Sequence, residues 1–266
     1  MVEVVENKNK FPLFKTIFAS FSLFFDNIWS SVIIGSVFSL IYMVINFIGG
    51  QSLFCYSRNY SASVFCVGNF YLFILSNLFL WFLACVYMRN WYNVVILKTQ
   101  KFSIKDILPQ MTDVKLFGVL GLFFVALLIA CGVGAVLFVR EPNPNWKIEL
   151  IYFSLISIGF LAPIFAMPLL SFIAFVAEKT KIPTIKELWN VSKGKFTVMF
   201  ISFVSVVLFS FLLMSFGLRY FVQLAVDGNI FVIVIAEFLY NIVLMFIASI
   251  FTNYCYIQKK FLFERS

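Results

Sequence analysis

The chain reads as an all-α, polytopic integral membrane protein of six transmembrane helices, and three observations predict this. Of its 266 residues, 62% are hydrophobic and 12% charged, with mean hydropathy +1.00. So little polar surface cannot cover a water-soluble globule. Six apolar runs lie at about 29–48, 69–88, 116–139, 148–177, 196–216 and 229–252, each long enough to supply the ~20 helical residues that cross ~30 Å of hydrocarbon. A short motif is also written twice. Ser103, Ile104, Lys105, Asp106, Ile107 and Leu108 return 81 positions later as Thr184, Ile185, Lys186, Glu187, Leu188 and Trp189, each copy just before an apolar run.

Both copies open with a capping box, a hydroxyl residue followed three positions later by an acid, which satisfies the orphan amides of a helix start. Ile104, Ile107, Leu108 and Met111 fall on one face of the first copy, and Ile185, Leu188, Trp189 and Phe196 on one face of the second. Lys105, Lys186 and Lys193 lie off those faces. This is the pattern of short helices lying in the membrane interface ahead of a span.

In chain order, residues 1–10 form a polar tail. From position 11 a longer amphipathic segment carries Phe14, Ile17, Phe18, Phe21 and Phe25 on one face. Glu3, Glu6, Pro12 and the lack of a small-residue cleavage site exclude a secretory signal peptide. Asp26 and Asn27 mark the break into the first span. The loop that follows, about 49–68, holds Cys55 and Cys66, a disulfide candidate worth ~3 kcal/mol if the compartment is oxidising; two free thiols are the alternative. The same loop contains the sequon Asn59, Tyr60, Ser61.

The second span continues without a breaker into Arg89, Asn90, Trp91, Tyr92 and Asn93, and the last ends at Asn253, Tyr254, Cys255 and Tyr256; such mixtures read as interfacial anchors. Ala126, Ala130 and Gly134 give the third span a small face for close helix approach. Pro163 and Pro168 predict a kink in the fourth. Cys85, Cys131 and Cys255 read as small apolar fillers. The whole divides into three units of one design, an in-plane segment plus a transmembrane hairpin, at about 11–100, 101–181 and 182–256, followed by a basic tail, 257–266. Such repetition predicts pseudo-symmetric packing.

Orientation follows from charge. The chain carries 20 lysines and arginines against 12 acids, net +8. Only Arg58, Arg140, Lys147 and Arg219 fall on one side of the six runs; the other 16 fall on the opposite side with both termini. Positive loops stay cytoplasmic, so both termini are expected there. Lys105, Lys186, Lys193 and Lys195 are the expected ligands of anionic lipid headgroups, at ~1 kcal/mol per basic residue near the surface. A positive-inside charge face accounts for the basic balance without nucleic acid. A membrane-protein partner or a second copy of the chain could also occupy the in-plane helices.

The stretch holding Pro168, Glu178, Ile185, Lys186, Glu187, Leu188, Trp189, Ser192, Gly194 and Phe196 resembles a six-span bacterial membrane-domain family. Members of that family are sometimes fused to glycerophosphodiester phosphodiesterases. The resemblance implies a bacterial inner-membrane protein without established chemistry of its own. The hydrolase domain has no room outside these six runs.

The chain has no histidine, which removes the usual general base and the commonest metal ligand. No phosphate-binding glycine loop and no zinc-spaced cysteines are present, so no enzyme activity, metal or cofactor is implied. Glu237 stands inside the last span with Tyr240 and Asn241 on the same face, and an intramembrane acid is a site candidate. Asn77, Ser157 and Glu237 are spaced by 80 and 80 residues, which predicts a polar layer at one depth. Two functions follow: a structural or adaptor protein binding lipids or a membrane partner, or a small transporter or lipid-handling protein using the kinked span and the Glu237 layer.

Overall fold

A computed structural model describes residues 12–50, 70–138, 164, 166–227 and 229–263, and every regular element among them is helical. They are α1 (Leu13–Phe25), α2 (Ile28–Ile48), α3 (Phe70–Trp91), α4 (Met111–Phe138), α5 (Leu170–Ala177), α6 (Ile185–Ser192), α7 (Phe196–Asp227) and α8 (Ile230–Phe263). A π-turn, Tyr92–Ile96, extends α3, and 3-10 turns occupy Ile104–Ile107 and Met167–Leu169. Six spans were expected; among the described residues three helices are long and apolar enough to cross a membrane, at Ile28–Ile48, Phe196–Leu224 and Ile230–Phe263. Cys55, Cys66, Ser157, Pro163 and most of the fourth run lie outside the described residues, as do the side chains of Ala126, Ala130 and Gly134 within α4.

α8 is the hub of the fold, packing against α1, α2, α3, α5 and α7. Its approach to α2 is closest at Gly35, where an added Cβ would stand 3.3 Å from the Met245 Cβ. Between α2 and α3, Tyr42 donates to the Leu80 carbonyl at 2.7 Å, and the Ser76 side chain fills the space where Gly49 lacks a Cβ. Aromatic edges join α3 to α4 at Trp81–Phe117, and α4 to α7 at Phe123–Phe203.

α1 is amphipathic as expected, yet its phenylalanine face supplies only part of the packing, through Ile17 and Phe21. Thr16, Ser20 and Phe24 are buried, while Phe14 and Phe18 are each 70% exposed. The hydroxyls can be buried because each is satisfied within its own helix, Thr16 by the Pro12 carbonyl and Ser20 by the Thr16 carbonyl, both at 2.8 Å. Their small size then lets α1 lie close on α8, with the Asn253 amide donating to the Ser20 carbonyl at 3.1 Å.

The repeated motif is repeated structure. Both copies have complete capping boxes: the Ser103 amide donates to Asp106 at 2.8 Å and the Thr184 amide to Glu187 at 2.7 Å. The outcomes differ in length. The first copy is a four-residue 3-10 turn rather than the expected α-helix, whereas α6 runs for eight residues. Pro109 explains the difference, because a residue before proline is pushed out of helical geometry, and Leu108 is extended at ψ 133°. The chain restarts at Gln110, whose amide donates to Asp113 at 2.7 Å, leading into α4.

The correspondence also extends upstream of the motif. Lys98 and Lys179, again 81 apart, both adopt left-handed backbone, with φ of 53° and 57°. Thr99 and Thr180 follow them, and each donates both its amide and its hydroxyl to one preceding carbonyl, that of Asn93 or Phe175. Each returning segment therefore ends in the same left-handed reversal.

In the α6 box, the Thr184 amide and then its hydroxyl hold the Glu187 carboxyl below the usual carboxylate range. A lowered folded-state value means the cap contributes fully above the ordinary pKa of ~4.3 and is lost as pH falls through the lowered one. Hydrogen exchange at the Thr184 amide is therefore expected to lose protection as pH falls below the ordinary glutamate range, after correction for intrinsic exchange. Glu187→Gln should abolish that pH dependence.

Candidate functional site

α8 starts at Asn229, whose side chain accepts from the amides of Phe231 and Val232, both at 3.1 Å. Along its inner face, Glu237, Asn241, Met245, Ser249 and Asn253 recur every fourth residue, and all are buried. Residues four apart stack along one helix face, so four of these five positions form a polar row inside an apolar bundle.

Each level of the row engages a different neighbour. Near the N-terminal end, the Asn46 amide of α2 donates to Glu237 Oε1 at 3.4 Å and to Asn241 Oδ1 at 3.2 Å, while the Asn241 amide donates to the Glu237 carbonyl at 2.9 Å. Halfway down, the Ser249, Tyr87 and Ser31 hydroxyls form a closed triangle joining α8, α3 and α2, with sides of 2.7, 3.1 and 3.3 Å. One turn further, the Trp91 indole donates to Asn253 Oδ1 at 2.8 Å. The Tyr254 hydroxyl meets Ser202 of α7 at 2.9 Å, and the Gln258 amide donates to the Met167 carbonyl at 2.8 Å. At the end, Lys259 pairs with Glu178, which also accepts from the Tyr92 hydroxyl at 2.6 Å.

A second buried centre joins α3 to α4. Arg89 Nε lies 2.9 Å from Asp113 Oδ1, with side chains 1% and 0% exposed. The Arg89 guanidinium also donates to the carbonyls of Asp106 at 2.6 Å and Leu108 at 3.2 Å. The Asn90 amide donates to the same Asp106 carbonyl at 2.9 Å. Together they fasten the Ile104–Ile107 turn to the end of α3.

The sequence-derived candidates are thus divided. Glu237 and Asn241 come together, and their partner Asn46 was missed because only the assembled bundle brings α2 alongside them. Tyr240 is half-buried and meets Phe221 ring to ring at 6.5 Å. Asn77 is exposed on α3, whereas its neighbour Ser76 is buried, and Ser157, the third member of the expected layer, lies outside the described residues. Pro168 sits in a 3-10 turn that tightens the start of α5. Lys105, Lys186 and Lys193 are exposed and Lys195 is half-buried.

Two expectations are corrected. Asn253, Tyr254 and Cys255, read as interfacial anchors, are fully buried, because they are the levels at which α8 meets α1, α3 and α7. Residues 257–263, read as tail, continue α8, with Ile257, Gln258, Lys259 and Leu262 buried. Cys85 and Cys255 are buried free thiols. No family model, curated protein or solved structure matches the chain, so its function is argued from this geometry.

Removing one partner of a buried ion pair strands the other charge, at a cost of about 3–5 kcal/mol, whereas an apolar replacement of both can be neutral. Arg89→Met alone should therefore lower stability by about that amount. Arg89→Met combined with Asp113→Leu should recover most of it in unfolding titrations of the detergent-solubilised protein.

Proposed function

We propose that the chain is a non-enzymatic membrane protein of structural or adaptor type. It spans the bilayer six times with both termini in the cytoplasm of a bacterial cell, and it binds anionic lipid headgroups or a membrane partner through its in-plane elements. The observation that carries this reading is the matched exposure of the two motif copies. Ile104 is 75% exposed and its counterpart Ile185 73%; Leu108 is 66% exposed and its counterpart Trp189 44%. Apolar side chains turned outward at equivalent positions, beside Lys105 and Lys186, suit a headgroup–acyl boundary and are costly in water. The hydrogen-bonded ends of α3, α5 and α8 gather both copies in one region, which supports a single cytoplasmic collar. The resemblance to the six-span bacterial family belongs to the same reading.

Glu237 supports a second reading. A buried acid in a span is a proton or ligand site by default, and a transporter would use it. Against this, Glu237 is 3% exposed and faces two asparagine amides, an arrangement suited to fixing helix packing.

With p-benzoylphenylalanine in place of Ile104 or Ile185, irradiation of native membranes is expected to yield lipid adducts. A chain that captures neither lipid nor another membrane protein from either position would sink the adaptor reading. Glu237→Gln should leave both stability and lipid capture nearly unchanged; loss of a proton-coupled flux in proteoliposomes, with folding intact, would favour the transporter instead.

A further inference from the structure

An open groove of about 590 Å³ lies between the first turns of α2 and the loop after the π-turn. Its wall is apolar, formed by Ile33, Val94 and Phe102, and its rim carries Lys98, Thr99 and Lys101. That volume and that division of surface suit a ligand with an apolar body and one anionic group.

Three observations bear on what fills it. Lys98 holds φ +53°, a conformation that glycine adopts without cost and lysine does not. Retaining lysine there points to a use for its side chain. The turn is fixed from behind, because the Thr99 amide and hydroxyl both donate to the Asn93 carbonyl, at 3.0 and 3.2 Å, so the Lys98 side chain starts from a set backbone position. Both Lys98 and Lys101 are exposed, and among the described residues neither has a carboxylate partner.

The third is depth. Ile33 belongs to the second turn of α2 and is 61% exposed. With α2 crossing the bilayer as proposed above, on which this inference rests, the lysines stand at headgroup level and Ile33 at the start of the acyl region. We infer that the groove binds one anionic phospholipid, its phosphate held by Lys98 and Lys101 and an acyl chain laid along Ile33. The apolar wall selects a lipid over free phosphate. None of the four collar lysines, Lys105, Lys186, Lys193 and Lys195, lines this groove.

The test is native mass spectrometry of the full-length protein in detergent, titrated with phosphatidylglycerol or phosphatidylcholine. The wild type should hold one phosphatidylglycerol in preference to phosphatidylcholine. Lys98→Gly with Lys101→Gln should weaken phosphatidylglycerol binding about 30-fold, the combined effect of two lysines near anionic lipid, and leave phosphatidylcholine unchanged. Glycine accepts the backbone at position 98, so the lipid-free melting temperature should hold or rise, which separates lost binding from lost fold. Ile33→Trp should weaken both lipids by filling the groove.

Undiminished phosphatidylglycerol binding by the Lys98/Lys101 variant would overturn the site. So would competition by millimolar inorganic phosphate that matches the lipid. If Lys186→Gln with Lys193→Gln removes the bound lipid instead, the groove is wrong and the collar stands. If no variant changes lipid binding and the benzoylphenylalanine chains capture nothing, the membrane-surface reading itself has failed.

Discussion

A helix that must carry polar side chains through an apolar bundle has to satisfy each of them with a partner, because no water is at hand to do so. α8 meets that requirement by giving each polar level a different neighbour: Asn46 on α2, Tyr87 and Trp91 on α3, the Ser20 carbonyl on α1, Ser202 on α7, and Glu178 after α5. Apolar packing alone would not fix which helix lies where, since lipid tails are as apolar as leucine. The hydrogen bonds along α8 are spaced and directional, so they set both the identity and the register of its neighbours. Individually they are weak, at about 0.6 kcal/mol on average between membrane helices. Their number and their distribution over five partners make α8 the element the rest is arranged around.

The two in-plane elements depend on the same scaffold. Arg89 and Asn90 grip the carbonyl of Asp106, so the second unit's turn is positioned by the end of α3, which α8 has itself positioned. In the third unit α6 packs on the 3-10 turn before α5, and Trp189 meets Phe196 of α7 at 4.8 Å. The outward faces of these elements are held at fixed height and orientation by buried bonds one layer inside.

Features set by neighbours in sequence were legible. The capping boxes at Ser103 and Thr184 follow from four residues each, and the α1 phenylalanine stripe from simple periodicity. Which side of a helix faces inward was less so. Thr16 and Ser20 are polar, yet intrahelical bonding removes that objection to burial. The expected polar layer departs from the period: Asn77 and Glu237 are separated by 160, two short of twice the repeat, and each residue turns a helix by ~100°. Several of the observed pairs keep the period. Glu178 and Lys259 are 81 apart, while Trp91 and Asn253, like Tyr87 and Ser249, are 162 apart. Applying the offset to the returning segments would have found them. Arg89 and Asp113 carried no such signal, since each reads locally as a charge at a span end and only their meeting reveals the pair.

The order of synthesis gives the central position of α8 a further meaning. A chain emerges from the ribosome N-terminus first, so α1, α2, α3, α5 and α7 are all made before the helix that completes their hydrogen bonds. Glu178 already has the Tyr92 hydroxyl, while Asn46 and Trp91 must meanwhile find temporary partners, in water or in one another. Tertiary assembly is consequently deferred to the last helix, and a nascent chain stalled before residue 230 leaves those groups open. Such an unfinished product is chemically distinct from the finished one, which is the kind of difference that membrane quality-control proteases read.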